Sequence, residues 1–278
     1  MSNLTVKSLF EREDVKNKFS EMLGKRATSF MTSVLQITAQ NQLLAEADPI
    51  SIYQAAAVAA TLDLPLNNNL GFAYIVPYKD SKRGQVAQFQ MGYKGFIQLA
   101  QRSGQFKTIA AAPIYEGQII SSDPLSGYQF DFTKKGSEII GYAARFTLLN
   151  GFDATLFMTN EELKEHGVRY SQAFKKGFGL WKDNFDAMAT KTVLKLLLSK
   201  YAPLSVDMQK AVIMDQAVVN NYETVDAVHI DQQEELPEDK RVRLMIEDAA
   251  CKEDLEKVKE FVKPEYQELF EEKLASLS

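Results

Sequence analysis

The sequence predicts an α+β protein: a small, mainly antiparallel sheet with two hairpins, flanked by helices, followed by a small C-terminal helical domain. Three observations point to it. Residues 27–46 run without Gly or Pro, residues 71–158 alternate polar and apolar side chains around turn dipeptides, and the chain beyond about residue 236 returns to helical spacing. With 278 residues, 45% of them hydrophobic, the chain can bury a sizeable core.

Residues 5–63 read as helical. Asp48-Pro49 puts a capping carboxylate and a first-turn proline ahead of the Ala-rich segment Ile50 to Thr61, and Leu64-Pro65 ends it. After the turn residues Asn67-Asn68-Asn69, Gly71 to Tyr78 reads as a strand with Phe72, Tyr74, Val76 and Tyr78 on one face. Val86 to Met91 is its expected hairpin partner, with Gln88 and Gln90 opposite Ala87, Phe89 and Met91. Tyr93 to Ser103 reads as a helix closed by Gly104, and Phe106 to Tyr115 as a third strand. Asn150-Gly151 joins Ile139–Leu149 to Phe152–Met158 in a second hairpin. Thr159-x-x-Glu162 is a capping box that opens the next helix, and a basic, Gly-interrupted loop follows from Arg169 to Trp181. Further helices are expected over Asp183–Tyr201 and from Ser205 to about Asn220. The expected organisation is a main domain over 1–225, a polar linker over 226–236 and an acidic helical tail over 237–278. Within that tail, Pro237–Ala250, Leu255–Val262 and Pro264–Leu277 read as short amphipathic helices, with Val242, Met245, Ile246 and Ala249 on one stripe.

Composition excludes several function classes. No stretch approaches the roughly 20 apolar residues of a membrane span, and Met1-Ser2-Asn3-Leu4 opens no charged-then-apolar leader, so a cytoplasmic protein is expected. A lone cysteine, Cys251, forms no internal disulfide or cysteine metal cluster, and His166 and His229 are far apart in sequence. Metal and cofactor chemistry are not expected. The net charge of −5 is unevenly spread: residues 226–278 hold 16 acidic and 8 basic side chains, which leaves the first 225 residues at +3.

The most basic region is 164–200, where Lys164, Arg169, Lys175, Lys176, Lys182, Lys191, Lys195 and Lys200 face only Glu165, Asp183 and Asp186. At 100° per residue, Phe185, Ala189, Thr192, Val193 and Leu196 share the buried face of the long helix, and Lys191 and Lys195 stand one turn apart beside it. Lysines in a row can neutralise successive phosphates, and Phe174, Phe178 and Trp181 offer surfaces for bases. The same lysines suit a solvated helix face, and the same aromatics suit a core; the residues alone leave both readings open. Gln90-Met91-Gly92-Tyr93-Lys94-Gly95-Phe96 is a second constellation, in which two glycines bracket a lysine at a strand-to-helix junction. It suits either a phosphate approach or a plain turn. It lacks the Gly-Lys-Ser/Thr ending of a P-loop, as does the rest of the chain, so ATP hydrolysis is not expected. Asp153 with Glu162-Leu163-Lys164 is a weak nuclease candidate, because Glu162 already has a capping role on a helix. His166 is expected to be a solvated surface histidine, and the chain carries neither Gly-x-Ser-x-Gly nor His-Glu-x-x-His. No enzyme is indicated.

Three stretches together resemble the RecT family of phage and prophage single-strand annealing proteins. They are Leu64-Pro-Leu-Asn-Asn-Asn-Leu-Gly-Phe-Ala-Tyr-Ile-Val-Pro-Tyr78, Gln88-Phe-Gln-Met-Gly-Tyr-Lys-Gly-Phe-Ile-Gln-Leu-Ala-Gln-Arg-Ser-Gly104, and Trp181-Lys-Asp-Asn-Phe-Asp-Ala-Met-Ala-Thr-Lys-Thr-Val-Leu-Lys195, which runs on to Lys200-Tyr-Ala-Pro-Leu-Ser205. The departures are mild: Asn68 stands where the family often has Pro, and Ala202 where it often has Leu. The resemblance implies a homo-oligomer, ring or helical filament, that binds single-stranded DNA in a bacterial cytoplasm and holds an annealed duplex intermediate without ATP. It further implies phosphate contacts from Lys94, Lys107, Arg145, Lys182, Lys191 and Lys195 in addition to Lys175 and Lys176, with Thr192 as a phosphate donor. Gln90, Gly92, Tyr93 and Gly95 would shape the turn, and Trp181 would serve as a wall or stacking surface. For the tail, the expected partner is a host single-stranded DNA-binding protein or a companion exonuclease, with screening of the basic body as the alternative. A self-assembling phage structural protein without annealing activity is the competing reading of the whole.

Overall fold

The computed structural model describes residues 4–80, 82–123, 127–134, 136–177 and 179–229, and in the C-terminal segment residues 246, 255, 258, 259, 262 and 266–276. The chain divides into two compact units, Met1–Gln232 and Gln233–Ser278.

The first unit opens with α1 (Val6–Phe10), α2 (Glu13–Leu23), α3 (Ala27–Gln40), α4 (Gln42–Ala45) and α5 (Pro49–Thr61). Asp48 caps α5 by accepting from the Ile50 and Ser51 amides at 3.3 and 3.1 Å, so the capping carboxylate sits where the sequence places it. Alanines 55–57, 59 and 60 are buried with Ile52 and Val58, and their small volume lets the helix lie close against its neighbours. A buried hydrogen bond at 2.9 Å from the Ala87 amide to Ser51 Oγ ties α5 to the following hairpin.

That hairpin is β1 (Ala73–Asp80) with β2 (Gly84–Met91), in unbroken register from Ala73 opposite Met91 to Asp80 opposite Gly84. After α6 (Tyr93–Arg102) come β3 (Phe106–Tyr115), β4 (Ile119–Asp123), β5 (Gly127–Phe130), β6 (Ile139–Leu148) and β7 (Asp153–Thr159). The α+β class is as expected, but the strands form several small antiparallel sheets instead of one central sheet. β1 and β2 pair only with each other as named strands, β3-β6-β7 form a three-stranded sheet, and β4 pairs with β5. The β4–β5 hairpin was not expected, because its strands, of 5 and 4 residues, are too short to stand out from the surrounding loops.

The remaining elements are α7 (Asn160–Tyr170), α8 (Gln172–Lys175), α9 (Leu180–Asp183), α10 (Phe185–Tyr201), α11 (Val206–Met214), β8 (Val218–Asn221) and β9 (Asp226–Val228). Here the structure departs from two expectations. The helix begun at Val206 stops at Met214; Gln216 takes a left-handed φ of 62°, and the β-branched pair Val218-Val219 continues as a strand. Asp226–Val228, read as the start of a linker, is the partner strand, with Val218 opposite Val228. α10 packs one side of β3-β6-β7 and also contacts α6. Tyr142, Ala144 and Phe146 of β6 are buried on that side, and the Tyr142 hydroxyl donates to Asp186.

In the second unit, Ile246, Leu255, Val258 and Phe270 form a small apolar cluster, and α12 (Gln267–Ser276) falls within the third expected tail helix. Ile246 of the expected stripe is buried, whereas Val242, Met245 and Ala249 lie outside the described residues. Among the described residues, no helix is long and apolar enough to cross a membrane.

Candidate nucleic-acid interface

The junction between β2 and α6 is built by close backbone approach. Gly92 has φ −87°, which any residue adopts, so its requirement is for space. A Cβ on Gly92 would stand 2.0 Å from the Gly71 carbonyl oxygen, and one on Gly95 would stand 2.2 Å from that of Phe72. The Gly92 amide donates to the Phe72 carbonyl at 2.9 Å. Both glycines are buried, so the backbone they admit is that of Gly71-Phe72, not an incoming phosphate. Lys94 between them is exposed and passes beside Gly71, while Gln90 and Tyr93 are half-buried.

Behind this junction lies Asp215, fully buried at the end of α11. Its Oδ1 accepts from the Met91 amide and from Lys191 Nζ, both at 2.8 Å, and its Oδ2 accepts from Lys195 Nζ at 2.7 Å. The Lys191 and Lys195 side chains are 6% and 20% exposed. Burial pushes the Asp215 carboxyl up, but the two ammonium groups outweigh it and hold the carboxyl below its ordinary range. Desolvation lowers Lys191, with Lys195 acting in the same direction and Asp215 opposing. Two cations on one carboxylate leave an excess positive charge in a dry environment, a state that persists only while every donor keeps its acceptor. The following residues fasten to β2, with Gln216 donating to the Phe89 carbonyl at 2.9 Å and Phe89 donating back to Ala217 at 3.3 Å.

These contacts revise the roles expected for several residues. Lys191 and Lys195 form an ion-paired clamp, and Lys191 is too buried to meet a phosphate. Thr192 is 6% exposed inside the same packing. Trp181, 4% exposed, is wedged between Phe174 and Phe185 at 5.8 Å from each ring, so it is core, not a stacking surface. Phe174 is half-buried, and Phe178 lies outside the described residues. His166 is only partly solvated: it is half-buried with its ring tilted against Tyr170 at 4.5 Å, and burial, with Lys195 and Arg169 adding to it, pushes it down to about 4. Asp215 itself was missed. Lys191 and Lys195 among Val193, Leu194, Leu197 and Leu198 call for a buried counter-charge, yet nothing local marks which acid supplies it.

Lys94, Lys107, Lys175, Lys176 and Lys182 are exposed and form no ion pair among the described residues. Arg145 is exposed on β6 and pairs across the hairpin with Asp153 at 3.0 Å, a solvated contact of small strength. Glu162 is engaged in the α7 capping box with Thr159, accepting from the Thr159 amide at 2.8 Å. Asp153 and Glu162 thus have structural partners at the place considered for a nuclease site.

A family model described as RecT family matches residues 28–233, a span that holds the junction, the clamp and the open lysines. The chain is similar to Uncharacterized protein YqaK of Bacillus subtilis (strain 168), with 50% identity over 211 residues, 75% of this chain and 71% of that one. It is also similar to Protein RecT of Escherichia coli (strain K12), with 26% identity over 230 residues, 78% of this chain and 82% of that one.

Removing Asp215 strands the buried Lys191, the half-buried Lys195 and an amide. Asp215→Ala is expected to lose about 3–5 kcal/mol of stability in urea unfolding, and Lys191→Met, which leaves one cation on one carboxylate, clearly less. Equal losses would contradict the clamp. A lowered histidine pKa contributes stability that is complete above the unfolded value of 6.5 and is lost as pH falls toward about 4. The thermal midpoint of the wild type is therefore expected to fall more steeply across that window than that of His166→Gln.

Proposed function

The chain belongs to the RecT family, and from that premise we propose that it anneals complementary single strands of DNA without ATP, as a homo-oligomer that holds the annealed intermediate. Family membership supports a single-stranded DNA annealing role in recombination. The observation that carries the reading is the extent of the match, residues 28–233, across both the β2–α6 junction and the α10 clamp.

The chemistry is consistent with that role. Lys94, Lys107, Lys175, Lys176 and Lys182 stand in solvent without acidic partners among the described residues, available to replace the counterions of a flexible polyanion. Strand annealing needs alignment and relief of phosphate repulsion. Base pairing then supplies the driving force, since each stacked step contributes roughly 1.4 kcal/mol. A nucleotide fuel has no necessary place in such a reaction. The unit Gln233–Ser278 is read as an adaptor for a single-stranded DNA-binding protein or a companion exonuclease, its acidity suiting a protein partner better than DNA.

The direct test is a mobility shift of a labelled oligonucleotide at low salt, with its complement added second and duplex formation followed in parallel. Binding and annealing without nucleotide are expected; absence of both would remove the proposal in favour of a purely structural, self-assembling protein. Lys94→Ala is expected to weaken binding to all sequences alike and to reduce the slope of log K against log salt by about 1. Chains ending at Gln232 are expected to anneal bare strands as well as the full chain does. Loss of that activity would contradict the adaptor role.

A further inference from the structure

The sheet β3-β6-β7 uses one face for α10, and its other face is only partly open: Ala110 and Arg145 are exposed, whereas Ile114 and Ala143 are buried. The register sets the open side: Ala110, Ala112 and Ile114 of β3 stand opposite Arg145, Ala143 and Gly141 of β6. On the far side of β6, Arg145 and Ala143 face Thr155 and Phe157 of β7. Alternation puts these small residues on the face away from Tyr142, Ala144 and Phe146. The β4–β5 hairpin rises beside this floor as an aromatic wall. Tyr128 and Phe130 lie 5.8 and 6.2 Å from Phe157, and Phe130 lies 5.9 Å from Phe132. Floor and wall enclose a groove of about 410 Å³, within the roughly 300–1,000 Å³ typical of ligand sites.

We propose that this groove is a nucleobase-stacking subsite for single-stranded DNA, with Arg145 at its lip taking the phosphate of the same nucleotide. The proposal deepens the annealing reading and rests on it. The methyl groups of Ala110, Ala112 and Ala143 make a flat floor that a planar base can lie against, and they leave no ridges for a knobbed helix to interlock with. Phe132, 63% exposed, is an aromatic ring already in solvent at the groove's edge. Arg145 lines the same groove, and its exposed pairing with Asp153 is weak enough to yield to a phosphate. Lys107, exposed where the β3 register shifts, is a second cation on the edge strand that carries Ala110. Aromatic surface interleaved with cations is the combination that binds single strands without regard to sequence. An apolar segment of a second copy would cover the rings but leave Arg145 facing apolar groups, so charge complementarity favours the nucleic acid.

The test compares wild type, Phe132→Ala and Ala110→Trp, the last filling the floor from an edge strand, in binding fluorescent oligo-dT across a salt series. An abasic oligomer of equal length serves as control. The structural reading expects about a 5- to 100-fold loss of oligo-dT affinity in both variants, with an unchanged salt slope and unchanged affinity for the abasic chain, because stacking is lost and no ion pair is. If both variants bind oligo-dT as the wild type does, the subsite is overturned while the annealing reading stands. If the wild type itself does not bind, the annealing reading fails first. Equal losses on the abasic chain would also overturn the subsite. So would a collapse of assembly size in sedimentation with per-subunit DNA affinity retained, since the face would then be a contact between copies.

Discussion

The first unit is organised around a single buried carboxylate. Asp215 gathers two ammonium groups of α10 and the last amide of β2, joining positions 24 and 124 residues away in sequence. A buried ionic group of this kind gains little over a well-packed apolar one, but it accepts very few alternative arrangements. Sliding α10 by one turn along the junction would leave a lysine or the carboxylate unpaired in a dry interior. The clamp therefore sets the register of α10 against β2. Gly92 and Gly95 complete the arrangement by letting the same junction close onto Gly71-Phe72 at a separation no side chain tolerates.

From that fixed point the division of surfaces follows. α10 spends Lys191 and Lys195 on Asp215 and covers one face of β3-β6-β7, which leaves the opposite face and the flanking loops as the ground for a ligand. The solvent-exposed cations considered for DNA, Lys94, Lys107, Arg145, Lys175, Lys176 and Lys182, come from α6, β3, β6 and the α8–α9 region, on separate elements. Such a distribution suits a flexible polymer that can be led from one charge to the next better than it suits a small rigid anion. Acidity is concentrated at the C-terminal end of the chain, so the whole-chain charge of −5 describes neither part.

Signals confined to neighbouring residues were legible. The Asp48-Pro49 cap, the Thr159–Glu162 capping box and the Asn150-Gly151 hairpin act over three or four residues, and each is found where the pattern places it. Signals that depend on distant partners were not. Lys191 and Lys195 occupy the helix face that periodicity assigns them, but periodicity cannot tell whether another element covers that face. The glycines were recognised as sites of close approach while the approaching group, a carbonyl of the same chain, was not. The helix begun at Val206 looked longer than it is because Gln216 and Ala217 offer no breaker; the left-handed turn there is maintained by hydrogen bonds to β2.

By itself, the sequence determined the α+β class, the order of its main helices and hairpins, the separation of a basic body from an acidic tail, and a resemblance to the family to which the chain belongs. Those depend on local propensity, periodicity and composition, all of which are written along the chain. Only the tertiary structure decided which cations are free and which are spent internally, that Trp181 is core, and that one face of a small-residue sheet stays partly open beside exposed Phe132. Burial and pairing arise from segments remote in sequence meeting in space, so the same lysine reads as a phosphate ligand or as half of a buried clamp until its neighbour across the fold is known.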